Sequence, residues 1–101
     1  MICVVASITV KEGKREEFLE IFNANVPKVR DEQGCVEYFP AVDVESGIGV
    51  QKLDQQVVTV MEKWQNLEAL NRHLESAHML EYRERVKDLV EGVSLKVLQQ
   101  A

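Results

Sequence analysis

The stretch ICVVASITV, from Ile2 to Val10, decides the fold. It is rich in β-branched residues, and alternation along a strand places Ile2, Val4, Ala6, Ile8 and Val10 on one face. Cys3 and Val5 begin the other face, which ends in Ser7 and Thr9. A strand apolar on both faces belongs in the middle of a sheet that is covered on both sides. Downstream, Lys11 to Gly13 break the pattern, and Phe18, Leu19, Ile21, Phe22, Val26 and Val29 then fall on one helical stripe. Glu16, Glu17 and Glu20 occupy the opposite side. Pro27 lies inside this stripe and predicts a kink or a looser turn, and Gly34 is a stop signal beyond it.

Cys35 to Val44 reads as a second strand, with Pro40 suited to an edge or a bulge. Glu45 to Gln56 is a long polar connection with two glycines. Val57 to Trp64 is a third strand that places Val58, Val60, Glu62 and Trp64 on one face. Asn66 is an N-cap for a short helix with Leu67, Leu70 and Leu74. Ser76 caps a second helix carrying Met79, Tyr82, Val86, Leu89 and Val90, Gly92 ends it, and Val93 to Gln99 is a last strand. The order is β-α-β-β-α-β with the second helix broken near Ser76. This predicts one α+β domain over residues 1–101, ferredoxin-like, with an antiparallel sheet and its helices on one face. The apolar second face of the first strand then needs a cover from outside the chain. A second copy is the simplest one, so a homodimer is expected.

Composition narrows the function. The 101 residues carry 12 Lys and Arg against 17 Asp and Glu, a net charge of −5 with no basic cluster, which disfavours nucleic acid and anionic lipid as partners. The apolar N-terminus has no basic flank and is too short for a membrane span, so no membrane insertion is expected and the cytoplasm is the default compartment. Two cysteines, Cys3 and Cys35, make no disulfide framework and lack redox spacing. No phosphate-binding glycine loop and no nucleophile elbow occur. His73 and His78 are five apart, not at the i, i+4 spacing of a zinc pair, so no metal site is read from them.

What remains is a set of polar and aromatic groups on apolar surfaces. Trp64 ends the third strand with Glu62 on its face, and His73 borders the apolar stripe of the short helix. Asn25, Tyr38, His78 and Tyr82 are further candidates. Each has a plain structural alternative: core packing for Trp64, a satisfied buried histidine for His73, a charge partner of Arg72 or Lys63 for Glu62.

Taken in order, Gly34-Cys35-x-x-Tyr38, Glu62-x-Trp64 and His73-Leu-Glu-Ser-Ala-His78 resemble the antibiotic biosynthesis monooxygenase family, and its bacterial quinol monooxygenase branch in particular. The likeness runs from Met1 to about Leu98. It implies a dimer of facing sheets, with a pocket in each subunit between sheet and helices. It also implies oxygen chemistry on a small quinol or phenol without metal, flavin or haem. Under this resemblance His73 is the base or hydrogen-bond donor, Trp64 stacks on the substrate ring, and Asn25 holds an oxyanion. Phe22, Tyr38, Met79 and Tyr82 form the wall, with Glu62 and His78 beside them. Haem-degrading members use an Asn on the first strand, where the most similar position here is Ser7. The family also implies a second class, an isomerase-like enzyme or a ligand-binding module.

Overall fold

The computed structural model describes residues 1–101. The elements are β1 (Ile2–Val10), α1 (Arg15–Arg30), β2 (Cys35–Ala41), β3 (Val57–Trp64), α2 (Leu67–Glu75), α3 (Ala77–Val86) and β4 (Val90–Leu98). The strands form one antiparallel sheet in the order β2-β3-β1-β4, which makes this a ferredoxin-like α+β fold. β1 is central, as its two apolar faces require, and β2 with its Pro40 is an edge. No helix is long and apolar enough to cross a membrane.

The helices lie over the face of β1 that carries Val4, Ala6, Ile8 and Val10, all buried. Phe18, Phe22, Val26 and Val29 of α1 are buried there too. Acidic Glu16 and Glu17 in the first turn of α1, and basic Lys28 and Arg30 in its last, complement the helix dipole. α1 runs on three residues past Pro27 to Arg30. It ends in a tight loop, in which Glu32 N–H bonds Val29 O at 3.0 Å and Cys35 N–H bonds Glu32 O at 3.2 Å. Gly34 has φ +90, and a Cβ there would stand 2.5 Å from Ala69 Cβ, so only glycine lets this loop lie against α2. That close approach carries Glu32 to the end of α2.

Several boundaries differ from the sequence expectation. β2 ends at Ala41, not Val44, because Val42 onward has no ladder partner. α2 buries Ala69, Leu70 and His73, while Leu67 and Leu74 stay exposed. Its buried stripe is therefore rotated from the leucine pattern, and His73 sits inside the core instead of at its margin. Asn66 caps α2 as expected, accepting from Ala69 N–H at 2.9 Å. Ser76 breaks the helix, but its hydroxyl bonds back to His73 O at 2.8 Å and caps nothing in α3. α3 stops at Val86, so Leu89 and Val90 leave the helical stripe, and Gly92 lies within β4 beside a bulge opposite Thr9 and Val10.

Two apolar surfaces stay uncovered. The helical layer stops short of β4, leaving Val93, Leu95 and Val97 exposed on the helix side. On the other face, Val5, Met61 and Phe39 form one cross-strand row open to solvent.

Candidate active site

A cavity of about 410 Å³ lies where the helical layer meets the uncovered end of the sheet. Its floor is Ala6, Ile8 and Val60 of the sheet, and Phe22, Met79, Tyr82 and Val86 roof it from the helices. Tyr38, Glu62 and His73 line its inner end, and Val93 and Leu95 of β4 line its mouth, with Arg83 and Lys87. Phe22 stacks on Tyr38 with ring centroids 5.4 Å apart and meets Tyr82 edge-on at 5.7 Å. The walls are thus fixed by aromatic packing, with polar tips turned toward a mostly apolar space.

Glu62 is the one carboxyl on the wall. Strand alternation forces it onto the helix face, between Tyr38 and Val4 in the ladder. Burial pushes its pKa from 4.5 up to about 7; the Trp64 hydrogen bond opposes the rise and the nearby Glu32 charge adds to it. The indole Nε1–H of Trp64 donates to Glu62 Oε1 at 2.9 Å. Burial also raises the hydroxyls of Tyr38 and Tyr82 above the ordinary phenol value, so both remain hydrogen-bond donors at neutral pH.

His73 is almost fully enclosed. Its ring centroid lies 4.6 Å from that of Trp64 and 5.5 Å, edge-on, from that of Tyr38. Its Nδ1 is 2.8 Å from Glu32 Oε2. The same oxygen meets His78 Nε2, also at 2.8 Å. Burial lowers the His73 pKa, and Glu32 partly offsets that.

The structure brings Phe22, Tyr38, Glu62, His73, Met79 and Tyr82 together on one cavity. Three of the expected residues stand elsewhere. Trp64 is wholly buried behind Glu62 and His73, so its ring is not on the cavity wall and its N–H is already taken. Asn25 donates to Met79 Sδ at 3.4 Å and borders a recess of about 70 Å³ between α1 and α3, which it shares with His78. His78 reaches the site only through Glu32. Glu32 itself escaped the sequence reading, since nothing in the spacing ties it to a histidine 41 residues later. The two histidines straddle the break at Ser76, so the helical spacing rule for metal pairs does not govern them. The donor atoms of Glu32, His73 and His78 lie within 4.8 Å of one another, a set able to hold a divalent ion. Cys35, with its thiol pushed up by burial, is not on the cavity wall.

The family model for antibiotic biosynthesis monooxygenase matches residues 1–85. The chain belongs to the antibiotic biosynthesis monooxygenase family. It is 34% identical over 101 residues to the protein named "Probable quinol monooxygenase YgiN" of Escherichia coli, covering 98% of this chain and 97% of that one. The crystal structure of SO0527 from Shewanella oneidensis superposes with a TM-score of 0.83 at 28% identity, over 98% of this chain and 89% of that one. PA3566 from Pseudomonas aeruginosa gives a TM-score of 0.83 at 25% identity, over 99% and 93%. As a member of the antibiotic biosynthesis monooxygenase family the chain has a monooxygenase-type function. Ser7, the first-strand position likened to the Asn of haem-degrading members, pairs with Thr59 and Ser94 on the face opposite the cavity. Ala6 is the β1 residue that lines the cavity beside Ile8, and neither side chain can bind a metal.

Proposed function

We propose that the chain is a cofactor-free monooxygenase acting on a small quinol or phenol with molecular oxygen. The observation that carries this reading is the convergence of Glu62 and His73 on one aromatic-walled cavity of about 410 Å³, enough for a one- or two-ring substrate. A quinol becomes a reductant of oxygen once it loses a proton, so the protein has to bind it, take protons and stabilise the anion. Glu62, with a pKa of about 7, is matched to accept one proton at neutral pH. His73 is placed to accept the second. The hydroxyls of Tyr38 and Tyr82 donate to the resulting oxyanion. If oxygen adds to the ring, one atom stays in a hydroxyquinone and the other leaves as water with both protons. If none adds, oxygen takes two electrons and two protons and leaves as hydrogen peroxide, with quinone as the product.

The assembly proposed is a homodimer in which a second copy covers the row Val5, Met61 and Phe39. Such a contact should bury more than about 1,000 Å² in total. One observation favours the second class of function: Arg83 and Lys87 at the mouth suit an anionic ligand, as an isomerase-like relative would need. Oxygen consumption by chelator-treated protein, measured over a panel of quinols and phenols, separates the two. Substrate-dependent uptake that survives chelation is the expected result. No uptake with any member, or uptake restored only by a metal ion, overturns the proposal.

A further inference from the structure

We propose that Glu32 sets the tautomer of His73, keeping the proton on Nδ1 so that the Nε2 lone pair faces the cavity. The catalytic use of that lone pair rests on the functional reading above; the tautomer does not. A carboxylate oxygen can only accept, and Glu32 Oε2 stands 2.8 Å from His73 Nδ1. In the neutral ring a proton on Nδ1 leaves Nε2 bare. No protein group bonds Nε2, yet no side-chain nitrogen is both enclosed and unpartnered. Nε2 therefore touches open space, and the open space on this ring is the cavity.

Glu32 is built for the task. The loop that carries it is pressed onto α2 through Gly34, and its side chain is 14% exposed. His78, 22% exposed, bonds the same oxygen from the solvent side. The carboxylate is thus clamped between an enclosed ring and a surface ring. If a proton arrives at Nε2, Glu32 is in place to stabilise the imidazolium. Glu32 acts through His73 and is a positioning residue.

The test is a long-range nitrogen–proton spectrum of the full chain with chelator present. The chain has two histidines, so a His78→Asn variant assigns both rings. The expected wild-type result is a His73 proton on Nδ1. Glu32→Gln keeps an acceptor and should preserve it, whereas Glu32→Leu should move the proton to Nε2. With a quinol that supports oxygen uptake, Glu32→Leu should lower kcat roughly 10²-fold with KM within about twofold, and Glu32→Gln should recover most of the rate. A wild-type proton on Nε2, or an Nδ1 proton that persists in Glu32→Leu, overturns the inference whatever the substrate. Unchanged kcat in Glu32→Leu overturns the positioning role. Absence of oxygen uptake by the wild type overturns the functional reading instead, and the spectrum still decides the tautomer.

Discussion

Two neighbouring rows of the sheet differ by one residue in register and by everything in chemistry. Tyr38, Glu62 and Val4 pair across β2, β3 and β1 on the helix face; Phe39, Met61 and Val5 pair across the same strands on the other. The first row is enclosed by helices, and enclosure lifts a carboxyl to about 7 and keeps a tyrosine protonated. The second row is apolar, uncharged and open, with Phe39 38% and Met61 36% exposed. Burial is what creates tuned proton acceptors, so the proposed chemistry is assigned to the first row. Uncovered apolar area favours association, so the proposed homodimer contact is assigned to the second. The two roles should be separable by mutation.

The largest effect is expected at the enclosed end. His73→Phe keeps a ring against Trp64 and Tyr38 but removes both nitrogens. It should lower kcat roughly 10²–10⁴-fold, the range for loss of a general base, and leave the oligomeric mass unchanged. Steady-state oxygen uptake and light scattering on one preparation check both halves. A near-normal kcat in folded protein would take His73 out of the chemistry.

Glu62→Gln should separate activity from stability. The folded pKa of about 7 lies above the ordinary 4.5, so the fold favours the protonated form. The stabilisation this gives is fully present below about pH 4.5 and is lost as pH rises through about 7. At 1.36 kcal/mol per unit, the ionised carboxyl costs the native state about 3 kcal/mol at pH 8.5. Gln still accepts from Trp64 without that cost. Urea titrations should therefore find the variant more stable than wild type at pH 8.5 by up to about 3 kcal/mol, and nearly equal to it at pH 4.5. Its kcat should fall about 10–10²-fold. Equal stability at both pH values would mean that Glu62 is hydrated and untuned.

How much of this was legible in the chain depends on the range of the interaction. β1 declared its central place because its alternation is local, and Pro40 declared an edge for the same reason. Glu62 and Trp64 were visible as a pair, since two residues apart on a strand share a face. The depth of Trp64 was not visible, because strand alternation gives a face and not how far α2 closes over it. Leucine spacing misplaced the buried stripe of α2, as packing against β3 and the Gly34 loop selects Ala69, Leu70 and His73. Glu32 was out of reach of any pattern: its tie to His73 exists only after a glycine with φ +90 presses one loop onto one helix.

On the open row, Met61→Lys should leave the cavity residues in place and strip the surface of its apolar centre. A positive charge on each copy at the centre of a shared face would be brought together and desolvated, which is unfavourable by several kcal/mol. Light scattering at micromolar concentration should then give the monomer mass, where the wild type gives the dimer mass. A monomeric wild type, or a variant that stays dimeric, breaks the assignment of assembly to this row.

The smallest effect concerns Cys3, which pairs with Lys63 and Leu98 on the same open face and is half-buried in a single copy. Cys3→Ser should cost under about 1 kcal/mol and leave kcat unchanged, because the thiol is partly wet and points to the sheet face opposite Glu62. Its reactivity is more telling than its replacement. A second copy over the face would shield Cys3, so in a Cys35→Ser background an aromatic disulfide reagent should label it several-fold more slowly in the wild-type dimer than in the Met61→Lys monomer. The rate should also rise on dilution as the dimer dissociates. Equal labelling rates in both backgrounds would show that Cys3 lies outside the covered area and confine the interface to the Phe39 side of the row. Loss of turnover on labelling, with the dimer intact, would instead move chemistry onto the open face and erase the division between the two rows.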